Sequence, residues 1–229
     1  QGVGTGGEAC RFAVRFSVCE GAKVMENGAW TKSSQVSICN KALGFMGVGR
    51  TITSLMEATA EANVMKRYYD AALTSLLQRN DWNFCRGMTD LADIVGSVPG
   101  AAYAYQYPNN CAKVLRLFRA DDFIRRRWSG DFRIGMDDGK RVICSDFPAT
   151  TAQYTVMVSD PTLFPPLFEE ALCWNLARMA CWSVSDVSMN MRDEITKQFL
   201  VAYGDACAAE ANEGRSRLRV SPCDYIDVR

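Results

Sequence analysis

Two widely separated stretches of the chain, from Ser33 to about residue 80 and from Asp160 to about residue 212, carry apolar side chains at helical spacing. In the first, Val36, Cys39, Leu43 and Met46 form one stripe, Ser33 is available as an N-cap, and Gly44, Gly47 and Gly49 end the helix. A second helix is expected over roughly 57–80, opened by the capping-box spacing of Ser54 and Glu57 or by Thr59, with Tyr69, Leu73, Leu76 and Leu77 on its buried face. Asp81-Trp82-Asn83-Phe84 follows, an aromatic pair that reads as cement between layers rather than as a ligand platform. In the second stretch Phe168, Leu172, Leu176 and Met179 share a face, and Pro165 and Pro166 fall in the first turn, where a missing N–H costs little. A fourth helix runs from about 187 to 212 with Met191, Ile195, Phe199, Ala202, Ala206 or Cys207, and Ala209 as its stripe and Gly214 as its stop.

Between the two stretches the pattern changes. Pro99-Gly100 and Pro108-Asn109-Asn110 punctuate short runs, and strand-favouring segments lie at 112–119, 131–135, 140–145 and 152–158. Asp137-Asp138-Gly139 reads as a hairpin turn, since Asp-Gly tolerates the positive φ such turns require, so the paired aspartates are turn residues and not a metal site. The order helix, helix, strands, helix, helix places the chain in the α+β class. Its parts are a Gly-rich extension at 1–32, in which Met25 is a candidate natural start; helices at 33–83; a β-rich insert at 84–159; helices at 160–214; and a tail at 215–229.

Several function classes are disfavoured by composition. With 48% hydrophobic and 23% charged residues, the chain is expected to be globular. No apolar run approaches the ~20 residues of a membrane span, and Arg11, Arg15, Glu20 and Lys23 interrupt the only segment resembling an export signal. There is no histidine, which removes the usual general base and the commonest metal ligand. The ten cysteines include no Cys-x-x-Cys pair, so zinc spacing is absent; reduced thiols packed as small hydrophobes are expected, and no cofactor. Lys plus Arg equals Asp plus Glu at 26 each, so no bulk positive field is available to hold nucleic acid.

The local chemistry is correspondingly thin. Glu169-Glu170 and Asp193-Glu194 are adjacent on helices, point about 100° apart and read as solvated faces, with Lys197 within pairing distance of Asp193 or Glu194. Arg125-Arg126-Arg127-Trp128 is the densest basic cluster, suited to contact with DNA or with a neighbouring subunit.

An ordered series of short motifs adds more. Ser37-Ile38-Cys39-Asn40-Lys41-Ala42-Leu43 with Gly47 and Arg50-Thr51-Ile52-Thr53-Ser54-Leu55, then Glu61-Ala62 through Tyr68-Tyr69-Asp70-Ala71-Ala72, resemble the opening of the tail tubular protein A family of short-tailed phages. The resemblance continues through Asp81-Trp82-Asn83-Phe84, Tyr103-Ala104-Tyr105-Gln106-Tyr107-Pro108 with Cys111, Val114-Leu115-Arg116, and Asp160-Pro161-Thr162-Leu163-Phe164 with Phe168, Glu170 and Ala171, covering about residues 37–213.

The resemblance implies a head-to-tail adaptor, or gatekeeper: a non-enzymatic virion protein, assembled in the host cytoplasm as a ring of twelve copies between the portal protein and the tail nozzle protein, with genomic double-stranded DNA passing through. It implies a helical bundle built from N-terminal and C-terminal helices, a β-rich insert between them and an extended C-terminal tail that reaches the portal. Within that tail, Tyr225 and Ile226, with Val228 and Arg229, are the expected portal contacts, the apolar pair as anchors. Two other readings stay open: a free nucleic-acid-binding protein using Arg125 to Trp128, and a tail-associated hydrolase acting through scattered carboxylates.

Overall fold

The computed structural model describes residues 33–94, 101–119, 131–184 and 187–213. The N-terminal extension, Arg125 to Trp128, Gly214 and the tail with Tyr225, Ile226, Val228 and Arg229 lie outside the described residues.

Helix α1 spans Gln35–Phe45. Its N-cap is Ser34 and not Ser33, because the Ser34 hydroxyl accepts the Ser37 N–H at 3.1 Å. At the other end Gly47 takes φ +76°, and the N–H groups of Val48 and Gly47 reach the carbonyls of Leu43 and Gly44, the paired closure that a left-handed residue after a helix permits. Helix α2 spans Ala60–Arg79, capped by Thr59, whose hydroxyl accepts the Ala62 N–H. Ser54 and Glu57 do form a reciprocal turn, but one that ends before the helix: the Glu57 carboxylate accepts the N–H groups of Thr53 and Ser54.

Helix α3 spans Pro166–Ala180, with Pro165 at its N-cap position, and helix α4 spans Met189–Glu213. Helix α3 packs against α1, α2 and α4. All four helices feed one apolar core that includes Ile38, Leu43, Met65, Leu76, Phe168, Leu172, Ile195 and Phe199. On α4 the inward position left open by periodicity is Ala206, with Cys207 half-buried, while Met191 turns outward. Trp82 is buried at the junction: its Nε1 donates to the Leu76 carbonyl at 3.0 Å, and its ring meets Phe168 edge-on at 4.9 Å. Phe84 and Phe164 close on Phe168 at 4.7 and 5.2 Å. Residues some eighty positions apart in sequence thus share one aromatic cluster, which fixes where the helices on either side of the insert meet.

The insert forms two three-stranded antiparallel sheets. Strands β1 (Arg86–Asp90), β2 (Tyr103–Gln106), β3 (Cys111–Phe118), β4 (Phe132–Asp137), β5 (Lys140–Ser145) and β6 (Thr151–Val156) arrange as β1-β6-β3 and β2-β5-β4. The β4–β5 hairpin turns at Asp138 (φ +46°) and Gly139 (φ +74°), as the Asp-Gly signal predicts. Strands β1 and β2 lie outside the strand-favouring segments of the sequence; both are short edges of their sheets, β1 held largely by backbone pairing to β6, and β2 by pairing to β5 and by buried Tyr105. A second, smaller core of Tyr105, Val114, Leu117, Ile143, Phe147, Ala149 and Ala152 serves the strands, and the Tyr105 hydroxyl accepts the Ala149 N–H at 2.7 Å. Lys113 pairs with Asp81 at 2.8 Å, and Gln78 donates to the Ala112 carbonyl, tying β3 to the end of α2. Among the described residues no helix is long and apolar enough to cross a membrane.

Candidate interaction surfaces

Helix α4 is apolar on two sides. One side, with Ile195, Phe199, Ala202 and Ala206, enters the core. The other carries Leu200, Val201, Gly204, Ala208 and Ala211, all exposed, with Leu200 and Val201 each 58% accessible. Spacing of Leu200, Gly204, Ala208 and Ala211 by four, four and three residues lines them up on one face, where small side chains let another helix approach closely. A Cβ added at Gly204 would meet nothing within 4 Å, so among the described residues nothing covers this face at that position. In the β insert, edge strand β4 exposes Ile134 and Met136.

A second surface combines arginines with aromatic rings. The Arg178 guanidinium lies 5.1 Å from the centre of the Phe199 ring, and that of Arg79 lies 5.2 Å from the same ring and 5.9 Å from Tyr203. About two turns before Phe199 on α4, Arg192 covers Trp182 at 4.6 Å. Buried Asn175 sets the position of Arg178: it accepts from Nη2 at 2.8 Å while donating to the Ala72 carbonyl and the Ser75 hydroxyl of α2. Burial, and then the charge of Arg79, hold the Arg178 guanidinium below its ordinary pKa. Burial, then the Cys207 contact, push the Tyr203 phenol up to about 12.

The acidic and thiol groups do other work. Glu169 is not a solvated residue: α3 turns it inward, nine-tenths buried, where Lys41 meets it at 2.6 Å, while Glu170 stays exposed. Buried Glu210 near the end of α4 accepts the Asn83 backbone N–H, anchoring that helix to the turn after α2. Glu194 pairs with Lys197 at 3.9 Å. Burial pushes the thiols of Cys39, Cys85 and Cys173 up to about 12, so at neutral pH they are packed thiols and not nucleophilic thiolates. Among the described residues no group of three or more Cys, Asp or Glu is placed to hold a metal ion. An open cleft of about 540 Å³, lined by Gln106, Tyr107, Asn110, Lys140, Arg141 and Met157, lies beside the β4–β5 hairpin, with Arg141 over Tyr107 at 5.7 Å.

Sequence reasoning placed its candidate sites at Arg125 to Trp128 and Tyr225 to Arg229, both outside the described residues, and missed Arg79, Arg178 and Arg192. Those three stand singly in the sequence, so no basic run marks them. The available signal was the spacing of Arg192, Phe199 and Tyr203, seven and four residues apart on one face of α4. Neither protein-family models nor curated proteins give a match to this sequence.

Proposed function

We propose that this chain is the ring-forming adaptor of a short-tailed phage, a virion structural protein that joins the portal to the tail nozzle around the DNA path. The observation that carries the reading is the outward face of α4. A contiguous stretch of apolar and small side chains on an exposed helix face is the kind of surface that a partner covers, and the described residues cover only the opposite face of α4. Leu200, Val201, Gly204 and Ala208 therefore form the surface on which neighbouring copies pack, and β4 with Ile134 and Met136 offers a second.

The same reading accounts for the interlocked motifs. Trp82 and Phe84 from one resembling segment, and Phe164 and Phe168 from the other, meet in one cluster, which suits a bundle made from both ends of the chain with the β part inserted between. In this function the tail from Arg215, with Tyr225, Ile226, Val228 and Arg229, docks on the portal, and Arg125 to Trp128 contact DNA or a neighbour. Its work is assembly, with no reaction catalysed.

The test is Leu200→Glu combined with Ala208→Glu. Both positions are exposed, so the subunit should melt within about 1 kcal/mol of the parent protein. Self-association followed by sedimentation should be lost, because a closed interface would bury the new carboxylates unpaired. Unchanged association would remove α4 as the contact.

A further inference from the structure

We propose that Arg79, Arg178 and Arg192, set on the aromatic rings along α4, form a binding site for phosphate groups of the kind a nucleic-acid backbone carries. The inference stands apart from the adaptor reading, since it needs neither a ring nor a portal.

Three guanidinium groups from three helices lie along α4, two of them together and the third about two turns nearer its start. Phe199 takes two of them, and Trp182, just after α3, takes the third. Among the described residues the ion pairs join Lys41 to Glu169, Arg50 to Glu61, Lys113 to Asp81 and Lys197 to Glu194; none includes these arginines. Among the described residues the Nε donors of Arg178 and Arg192 are buried with no hydrogen-bond partner, an arrangement that costs free energy. Arginine does not relieve such strain by losing its proton, so the repulsion between Arg79 and Arg178 persists in the partly buried site, and an anion would cancel it.

The stacking leaves the donors usable. A guanidinium over a ring employs its face, while its N–H groups lie in the plane and point past the ring edge, a fork that matches phosphate oxygens. Trp182 adds the element that favours nucleic acid over an isolated anion. It is 64% exposed beside Arg192, a ring on which a base can stack. Because the chain as a whole is neutral, binding should be local, modest and salt-sensitive, and not the broad attraction of a basic protein.

The test uses the full chain and three single variants, Arg79→Gln, Arg178→Gln and Arg192→Gln, all of which retain Arg125 to Arg127. Fluorescence anisotropy of a labelled single-stranded oligothymidylate reads nucleic-acid binding. Melting temperature in inorganic phosphate, against chloride and glutamate at equal ionic strength, reads the anion site itself. Phosphate should raise the melting temperature where chloride and glutamate do not, and each variant should bind the oligonucleotide roughly tenfold more weakly, the loss of one charged hydrogen-bonding group. Phosphate binding without oligonucleotide binding would assign the site to free phosphate. Equal shifts from glutamate, or unchanged oligonucleotide affinity in both Arg79→Gln and Arg192→Gln, would overturn the proposal. These two positions carry the test if the more buried Arg178→Gln fails to fold.

Discussion

Lys41 on α1 donates to the carboxylate of Glu169 in the first turn of α3 across 2.6 Å, closing a contact between residues 128 positions apart. The carboxylate is nearly buried, and the lysine side chain is half exposed. The pair therefore serves mainly to satisfy a charge that α3 has carried inside, at a helix start where a negative group is also favoured.

Lys41→Met should destabilise the subunit by about 1–2 kcal/mol, less than a fully buried pair because water reaches the lysine. The hydrogen bond to Glu169 raises the Lys41 pKa above its ordinary 10.5. A raised lysine contributes stability that is complete below the unfolded value and is lost as pH climbs through the folded one. Urea melts should show a constant gap between parent and variant from neutral pH to about 10, narrowing at higher pH; a gap that does not narrow as the lysine loses its proton would contradict the pairing.

Gly87 in β1 is fixed by space rather than by φ. An added Cβ would sit 2.6 Å from Cγ2 of Val156 and 3.2 Å from the Tyr154 ring, both on the paired strand β6. Gly87→Ala should cost about 1–3 kcal/mol through overpacking, and thermal unfolding that leaves the variant as stable as the parent would show that the β1–β6 pairing is looser than described.

Gly204 is the opposite case. On the exposed face of α4 it carries the entropy cost of glycine in a helix and meets nothing that an alanine would disturb. Gly204→Ala should stabilise the isolated subunit by about 0.5–1 kcal/mol in chemical denaturation. A destabilised monomer would mean that this face is already packed against the subunit's own chain.

The helices and the Asp138-Gly139 hairpin were legible because their signals are local: apolar period, caps, and a dipeptide that accepts positive φ. Ser34 in place of Ser33 is the small error such signals leave, and of the two openings that spacing allows for the second helix, Ser54 with Glu57 or Thr59, the structure takes Thr59. What stayed hidden depends on contacts made across the chain. Glu169 looked solvated beside Glu170 because its partner Lys41 lies in another helix, and β1 has almost no apolar residue to announce it. The arginine set was invisible for the same reason, since Arg79 and Arg178 meet only when α2 and α3 come together on Phe199.

The thiols should separate by position. Cys39, Cys85 and Cys173 are buried and held as thiols, whereas Cys111 and Cys207 are half-buried. Mass mapping after alkylation of the folded protein should find Cys207 and Cys111 modified well before the buried three. Prompt labelling of Cys39 or Cys173 would place an opening at the α1–α3 contact.

The proposed adaptor function is tested most directly by co-expressing the chain with the portal protein of a short-tailed phage and measuring the mass and symmetry of what assembles, by native mass spectrometry and electron microscopy. The expected result is a closed ring of this chain stacked on the portal, with the Leu200, Gly204 and Ala208 face of α4 buried between neighbouring copies. A chain that stays monomeric and separates from the portal would contradict it.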